Sequence, residues 1–562
     1  MLVGLLVIFA LLLIYPIWLT VRGGFATDIT SGTGFTMDSI WLVFRDPVTR
    51  AGLFNAFGLA LATSALCALI GIPLALISTR AKYAGKTLWD AAILVPLILP
   101  PFVGAIGLRA LLGRGGALNA LFDTDWDILG SARFWGVAVA LALHLYPILY
   151  LNTTAAMANI DHAMDEAAQT LGASSWRRFF AITLPLIRPG LFAGGAIVFI
   201  WAFTELGTPL VFDFYTTTPV QIFLGIKEMD TSTQPYALTA VLLFASVVLY
   251  LIGKFLLGRD AHASSMRAFR ASEIPRLGVR GTIGANVAFG VVTLLALLPH
   301  AGVVLMAMAE PNSWYQSVLP SQWTLANFEQ ALGHPLAFGS IQNSIMLAGV
   351  ASLLDIIVGI AVGYLIVRTT VRGRTLLDSM SMLPLAVPGL VLAFGYIAMS
   401  LRWPFGKGDP LEGLIDIVGS EPNPFPLLIV AYAVRRLPYV VRATVAGLQQ
   451  ISYELEEAAR TFGSGAVQAV RRVVVPLILP NLLAGGLLAF SFAMLEVSDS
   501  LMLAQQERHY PITKAIYMFS MRLGDGVHIA SGMGVWGMAL LTATLVGVSI
   551  LLGKKLGSVF RV

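Results

Sequence analysis

Long apolar segments constrain the fold of this chain more than any other feature. A helix needs about 20 mostly apolar residues to cross a bilayer core of about 30 Å, and inside lipid its backbone groups must hydrogen-bond within the segment. The 562 residues are 57% hydrophobic and only 12% charged, whereas soluble proteins carry about 25% charged residues. We therefore predict an all-α polytopic membrane protein of about 12 transmembrane helices, with spans near 1–21, 52–79, 89–112, 134–158, 182–206, 236–257, 281–308, 343–367, 376–400, 424–446, 473–503 and 533–553.

Basic residues are concentrated in alternate loops between these segments, including Arg80, Arg177, Arg368, Arg471 and Lys554. Cytoplasmic loops carry an excess of Lys and Arg, so these loops and both termini are predicted to be cytoplasmic. The net charge of +5 is explained by this orientation, and no nucleic-acid partner is expected. The first segment lacks a basic leader, which favours a spanning helix over a removed signal peptide.

The second half of the chain repeats the first. Pro96, Pro100 and Gly107 recur 288 positions later as Pro384, Pro388 and Gly395. Further along the chain the offset is 291, so that Pro147 and Pro185 match Pro438 and Pro476. Six spans per half keep both halves in the same orientation, which predicts parallel repeats. We expect a first half at 1–257, a cytoplasmic linker at 258–280 and a second half at 281–562. Pro96 with Pro100, and Pro384 with Pro388, suggest kinks in matched helices.

One motif occurs in the loop after the fourth span of each half, at 161–185 and 452–476. Asp161 and Ser452 are good N-cap residues, and a glycine follows where a helix favours a left-handed residue. The pattern predicts a short amphipathic helix of about ten residues with an apolar stripe in each copy. A helix lying on lipid is the alternative for a single copy, but two copies with the same ends favour docking to a partner. The motif residues are Glu166, Ala167, Ala168 and Gly172 in the first copy, and Glu457, Ala458, Ala459 and Gly463 in the second.

This motif resembles the signature of permeases in binding-protein-dependent ABC importers, because three residues separate Glu-Ala-Ala from Gly and nine residues precede Ile-x-Leu-Pro. The second copy has Val473 and Val475 in place of Ile and Leu. The resemblance implies a type I (MetI-like) fold and places the eight motif residues at the contact with the ATPase. It also implies two copies of a cytoplasmic ATPase subunit, a periplasmic or lipoprotein solute-binding protein outside, and a multi-pass location in the bacterial inner membrane.

The same resemblance implies that this chain is a transport subunit and not an enzyme, with no cofactor of its own, and that ATP and Mg are bound by the partner ATPase. The segment Gly85-Lys86-Thr87 does not make a phosphate-binding loop, because Arg80 stands where that loop requires glycine. The seven histidines do not have metal-ligand spacing, so we expect no metal site.

Glu205 and Glu496 match across the repeat near the outer ends of their spans. A carboxylate inside the bilayer usually faces a cavity, so one hypothesis is a substrate pathway, which would suit a cation. The alternative is a carboxylate that reaches the outer interface or bonds to neighbouring backbone. Asp355 is expected to make a packed polar contact, and Arg435 and Arg436 lie within the tenth span without a matched pair.

The fused double form looks most like the branch that transports iron(III), thiamine or phosphonate, and iron(III) is the first choice of substrate. Phosphonate or another phosphorylated solute, thiamine and polyamine are the alternatives. A secondary transporter driven by an ion gradient is one rival class, although it would not need two matched cytoplasmic helices. A channel or insertion factor is the other, and it would show no substrate-stimulated ATP hydrolysis.

Overall fold

The computed structural model consists of helices, as the apolar segments predict. It describes residues 1–29, 34–129, 133–158, 160, 162–257, 275–415, 417 and 423–552; Asp161 and most of the predicted linker lie outside them. The helices of the first half are Leu2–Phe9, Ala10–Ile14, Tyr15–Gly24, Asp38–Arg45, Pro47–Arg80, Lys86–Ala92, Val95–Ile98, Pro101–Leu112, Ala117–Phe122, Arg133–Met157, His162–Thr170, Ser175–Arg178, Phe179–Thr183, Leu184–Phe203, Gly207–Val211, Thr218–Leu224, Gly225–Glu228 and Gln234–Leu257. Those of the second half are Val279–Met308, Ala326–Gly333, Pro335–Arg368, Arg374–Ala386, Gly389–Ser400, Phe425–Gln449, Glu454–Thr461, Ala466–Ala469, Val470–Val474, Val475–Met494, Ser498–Leu503, Glu507–His509, Ile512–Ser520 and Gly526–Leu552.

Each of the twelve predicted spans coincides with helical structure. Among the described residues, nine helices are long and apolar enough to cross a membrane, and two bent pairs raise the number to 11. The remaining predicted span lies in helix Phe425–Gln449, which carries Arg435, Arg436 and Arg442 and does not pass as a span by composition. The all-α polytopic fold is confirmed.

The two bent pairs occupy matched positions in the two halves. Helices Lys86–Ile98 and Pro101–Phe122 meet at 94°, and helices Arg374–Ala386 and Gly389–Ser400 meet at 103°. Pro100 and Pro388 stand at the breaks, where proline disfavours helical geometry in the residue before it. The kinks predicted from these prolines are therefore present, as sharp breaks.

The predicted span 473–503 is too long. Its helix ends at Met494, and a separate short helix begins at Ser498. The first half has the same interruption, because its helix ends at Phe203 and the next begins at Gly207. Hydropathy alone missed these breaks, which place Glu205 and Glu496 on non-helical backbone.

The chain forms two compact units that do not follow chain order. One unit contains residues 1–52, 218–243 and most of the chain from 324 onward, and the other contains residues 53–217 and 244–323. The first span of the chain thus belongs to the unit built mainly from the second half. The first span of the second half, Val279–Met308, belongs to the unit built mainly from the first half.

The first span of each half, which belongs to the unit built mainly from the other half, is called an exchanged span here. Matched glycines allow both exchanged spans to pack closely. In one unit, a Cβ on Gly395 would lie 2.7 Å from the carbonyl oxygen of Pro16, and the Tyr396 hydroxyl donates to the carbonyl of Leu12 at 2.8 Å. In the other unit, a Cβ on Gly107 would lie 2.6 Å from the backbone nitrogen of Val303. Real Cβ contacts are not this short, so only glycine allows these helices to approach each other so closely.

Candidate functional site

Two short helices stand at the repeated motif. The first loop helix is His162–Thr170 and the second loop helix is Glu454–Thr461. The second begins two residues after Ser452, whose hydroxyl still accepts the backbone N–H of Glu454 at 3.3 Å. The predicted helices are therefore present, although both are slightly shorter than ten residues.

Both loop helices end in the same hydrogen-bonded turn. Gly172 and Gly463 have positive φ angles of 81° and 87°, the left-handed geometry that favours glycine. The N–H of Gly172 donates to Gln169 at 2.9 Å and that of Ala173 donates to Ala168 at 3.0 Å; the matched bonds in the second copy measure 2.9 and 3.1 Å. These are the two bonds of a Schellman motif, which explains why glycine occupies both positions.

A matched π-helical turn follows each loop helix, at Phe179–Thr183 and Val470–Val474. These turns are 291 residues apart, the same offset as the motif. Each turn continues directly into the long helix that predicted spans 182–206 and 473–503 anticipated. The loop helix, the glycine turn and the π turn are thus one repeated structural unit.

The apolar stripe of each loop helix faces away from the chain. Met164 and Leu171 are 51% and 88% exposed, and Leu455 and Phe462 are 48% and 91% exposed. The alanines between them, including Ala167 and Ala458, are exposed or half-buried. Glu166 and Glu457 are exposed as well. A large apolar surface of this kind, repeated on two helices, is typical of a surface that a partner covers.

The acidic residue before each Glu-Ala-Ala faces the body of the protein instead. Asp165 accepts a hydrogen bond from the Arg178 guanidinium at 3.1 Å, and Glu456 accepts one from the Tyr364 hydroxyl at 2.5 Å. Glu456 is only 2% exposed. Each loop helix therefore holds one acid against the body of the protein, while its apolar residues and the glutamate of Glu-Ala-Ala are exposed.

The two matched glutamates after the fifth and eleventh spans have different surroundings. The carboxylate of Glu205 is half-buried and caps the next short helix, accepting the N–H and hydroxyl of Thr208 at 3.1 and 3.0 Å. Glu496 is 4% exposed, and its two carboxylate oxygens bond separately to Arg435, at 2.5 Å, and to Arg436. Both oxygens of Glu496 are thus engaged by guanidinium groups.

Glu496 belongs to a buried charge cluster that we define as Arg435, Arg436, Glu496 and Asp499. Asp499 is fully buried and lies 3.3 Å from the Arg435 guanidinium. Arg435 is 14 residues, about 21 Å at 1.5 Å per residue, from the end of its helix at Gln449. A buried cluster of ionisable residues is rare in membrane proteins and usually serves function.

The sequence did not reveal this cluster as a unit. Arg435 and Arg436 stood out as unmatched arginines, and Glu496 stood out as a matched glutamate, but nothing linked them. Asp499, three residues after Glu496, was the available signal. In the first half, His144, Leu145 and Thr208 occupy the positions of Arg435, Arg436 and Asp499. Asp355 is buried on a neighbouring helix within electrostatic reach of Arg436.

Comparison with known families decides the identity of the repeat. The family model of the binding-protein-dependent transport system inner membrane component matches residues 68–259 and 355–557. The two matches together cover more than half of the chain, and each contains one loop helix. The chain belongs to this family.

This permease is therefore a multi-pass inner membrane protein and a transport subunit of an ATP-driven importer. The fused double permease that the motif resembles is confirmed, and the secondary transporter and channel alternatives are wrong. Membership implies that an ATPase and a solute-binding protein work with the chain.

Several relatives of this permease have named substrates. A Haemophilus influenzae protein named as a ferric transport system permease is 26% identical over 84% of this chain and 73% of its own length. The ferric transport system permease of Actinobacillus pleuropneumoniae is 28% identical over 76% of this chain and 61% of its own length. The molybdenum transport system permease of Escherichia coli is 32% identical, but over only 30% of this chain and 74% of its own length.

Proposed function

We propose that this permease imports iron(III) from a solute-binding protein, driven by two copies of a separate ATPase subunit that dock on the two loop helices. The ATPase would bind ATP and Mg, and both termini and both loop helices would lie in the cytoplasm. The observation that carries the coupling part is the outward-facing apolar stripe, present twice with the same Schellman turn. Ferric relatives that match the chain over most of its length support the substrate.

Two docking helices allow ATP to act on both halves of the permease. A ligand shifts an equilibrium only by its differential affinity for the two states. ATPase subunits that close on ATP would favour one arrangement of their two attachment points over the other. Glu166, Ala167, Ala168 and Gly172, together with Glu457, Ala458, Ala459 and Gly463, are the residues that we assign to these attachment points.

Docking is tested by filling the apolar stripe. Ala167→Trp combined with Ala458→Trp should reduce co-purification of the partner ATPase at least tenfold, a loss of about 1.4 kcal/mol, because each indole occupies the surface that the ATPase needs. Both alanines are exposed, so the permease should still insert and fold. Leu523→Trp is the control, since Leu523 is 94% exposed in a loop outside the motif. Undiminished ATPase binding by the double variant would refute the docking sites.

The substrate is tested in proteoliposomes that contain the permease, its ATPase and its binding protein. We expect ATP-dependent uptake of radiolabelled iron(III) that excess molybdate, sulfate or phosphonate does not reduce. The ATPase Lys-to-Ala variant in its phosphate-binding loop serves as the control that hydrolysis drives uptake. Uptake of one of the oxyanions instead of iron would reassign the substrate and leave the coupling proposal standing.

A further inference from the structure

The inward-facing acids of the loop helices have a role that the docking surface does not explain. We propose that Asp165 and Glu456 are positioning residues that fasten each loop helix to its own spans, so that movement of the helix reaches the membrane. This inference rests on the proposed function, since it assumes that an ATPase moves the loop helices. It concerns force transmission and not docking.

In the first copy the fastening is ionic. The Asp165 carboxylate lies 3.1 Å from the Arg178 guanidinium and 3.8 Å from the Arg80 guanidinium. Arg80 ends the long helix Pro47–Arg80, and it also donates to the hydroxyl of Thr183 in the π turn. Arg178 leads directly into that π turn and donates to Gln169 at 2.9 Å. Asp165 therefore joins the loop helix to the helices before and after it.

In the second copy the same position is fastened by a different partner. The Tyr364 hydroxyl, on the long helix Pro335–Arg368, donates to Glu456. The Arg460 guanidinium lies 3.3 Å from the same carboxylate, but Arg460 is on the loop helix itself, so this pair does not join two helices. Arg368 ends the long helix and donates to the carbonyls of Leu448 and Ile451 at 3.1 and 2.8 Å. It also lies 5.6 Å from the ring of Tyr453. Both copies thus hold the loop helix to the end of the corresponding long helix.

The repeat shows that the acid is constant while its partners are exchanged. Tyr364 stands where the first half has Leu76, and Arg460 stands where it has Gln169. Conversely, Arg178 stands where the second half has Ala469. Each copy lacks the main partner that the other copy uses, yet each buries or half-buries an acid on the inner side of the helix. This exchange is expected if the connection itself matters and the chemistry of the partner does not.

Partly buried contacts with charged groups are suited to transmitting the movement of the loop helix to its spans. Hydrogen bonds to charged groups are stronger than neutral ones, and exposed ion pairs contribute little. The Asp165 and Arg178 side chains are 23% and 14% exposed, and Glu456 is 2% exposed. The apolar stripe on the opposite side of each helix remains available to the ATPase. One helix can therefore be held by the ATPase on one side and by the permease on the other.

The test separates coupling from docking. In proteoliposomes with the ATPase and binding protein, Asp165→Asn combined with Glu456→Gln should keep ATPase co-purification within twofold of wild type. Solute transported per ATP hydrolysed should fall about tenfold, as a loss of about 1.4 kcal/mol at the connections would produce. Glu329→Gln, which neutralises an exposed carboxylate in helix Ala326–Gly333, is the control and should leave both values unchanged.

Rescue distinguishes a positioning role from a general loss of stability. Asp165→Arg combined with Arg178→Asp restores an opposite-charge pair. In the Glu456→Gln background, this charge exchange should give a higher transport per ATP than Asp165→Arg alone gives in the same background. Thermal stability in detergent is measured for every variant. Unchanged transport per ATP in the Asn/Gln double variant would overturn the inference, and so would loss of ATPase binding by a double variant that remains as stable as wild type. Failure of the wild-type permease to bind an ATPase would instead refute the proposed function.

Discussion

Replacing Glu496 with alanine should destabilise the permease by about 3–5 kcal/mol, the usual result of removing one partner from a buried ion pair. The substitution leaves Arg435 with Asp499 at 3.3 Å, but it removes the carboxylate that bonds to Arg436. Arg436 would then be a buried charge with no carboxylate bonded to it. We expect a clear fall in the temperature at which the purified protein loses its monodisperse peak in detergent.

The repeat supplies the matched control for this experiment. Glu205→Ala removes the equivalent glutamate, which caps a short helix through Thr208, and loss of a cap of this kind costs about 1 kcal/mol. A second substitution, Arg436→Met in the Glu496→Ala background, should recover part of the lost stability because it removes the uncompensated charge. If Glu496→Ala and Glu205→Ala are equally mild, the charge cluster does not stabilise the fold.

The second large effect is expected at Gly107. A Cβ there would lie 2.6 Å from the backbone nitrogen of Val303 and would also meet the carbonyl oxygen of Pro299. Both are backbone atoms of helix Val279–Met308, so no side-chain rotation can relieve the clash. Gly107→Ala should therefore push two helices apart and destabilise the protein by about 1–3 kcal/mol, as overpacking does.

The same detergent melting experiment measures this effect. Gly395→Ala should behave like Gly107→Ala, because its Cβ would lie 2.7 Å from the carbonyl oxygen of Pro16. Gly349→Ala is the control within a long helix, since its Cβ would meet no atom within 4 Å and alanine has the higher helix propensity. A Gly107→Ala protein as stable as Gly349→Ala would contradict the close approach of these helices.

The sequence predicted the features that depend on local periodicity and on the repeat. Long apolar runs located helices, prolines located the breaks at Pro100 and Pro388, and the glycine of each motif located a left-handed turn. These signals are local because each depends on backbone geometry within a few residues. The repeat strengthened each of these predictions, because the same local pattern rarely occurs by chance at matched positions in both halves.

Features that depend on contacts between distant segments could not be predicted. Nothing within the helix Phe425–Gln449 shows that Arg435 and Arg436 meet Glu496, some 60 residues later. Likewise, the second loop helix was visible in the sequence, but Tyr364, which donates to its Glu456, lies 92 residues away. Hydropathy also overestimated the span at 473–503, because it averages over the three residues at the break and the short helix that follows.

The exchange of first spans has a consequence for synthesis of the chain. Helix Tyr15–Gly24 packs against helix Gly389–Ser400, and more than 360 residues separate them. At about 5–20 residues per second, the ribosome needs roughly 20–70 s to produce the later helix. During that interval the newly inserted helix waits in lipid without its final neighbour, and a gene truncated after the first six spans would encode a helix whose neighbour is never made.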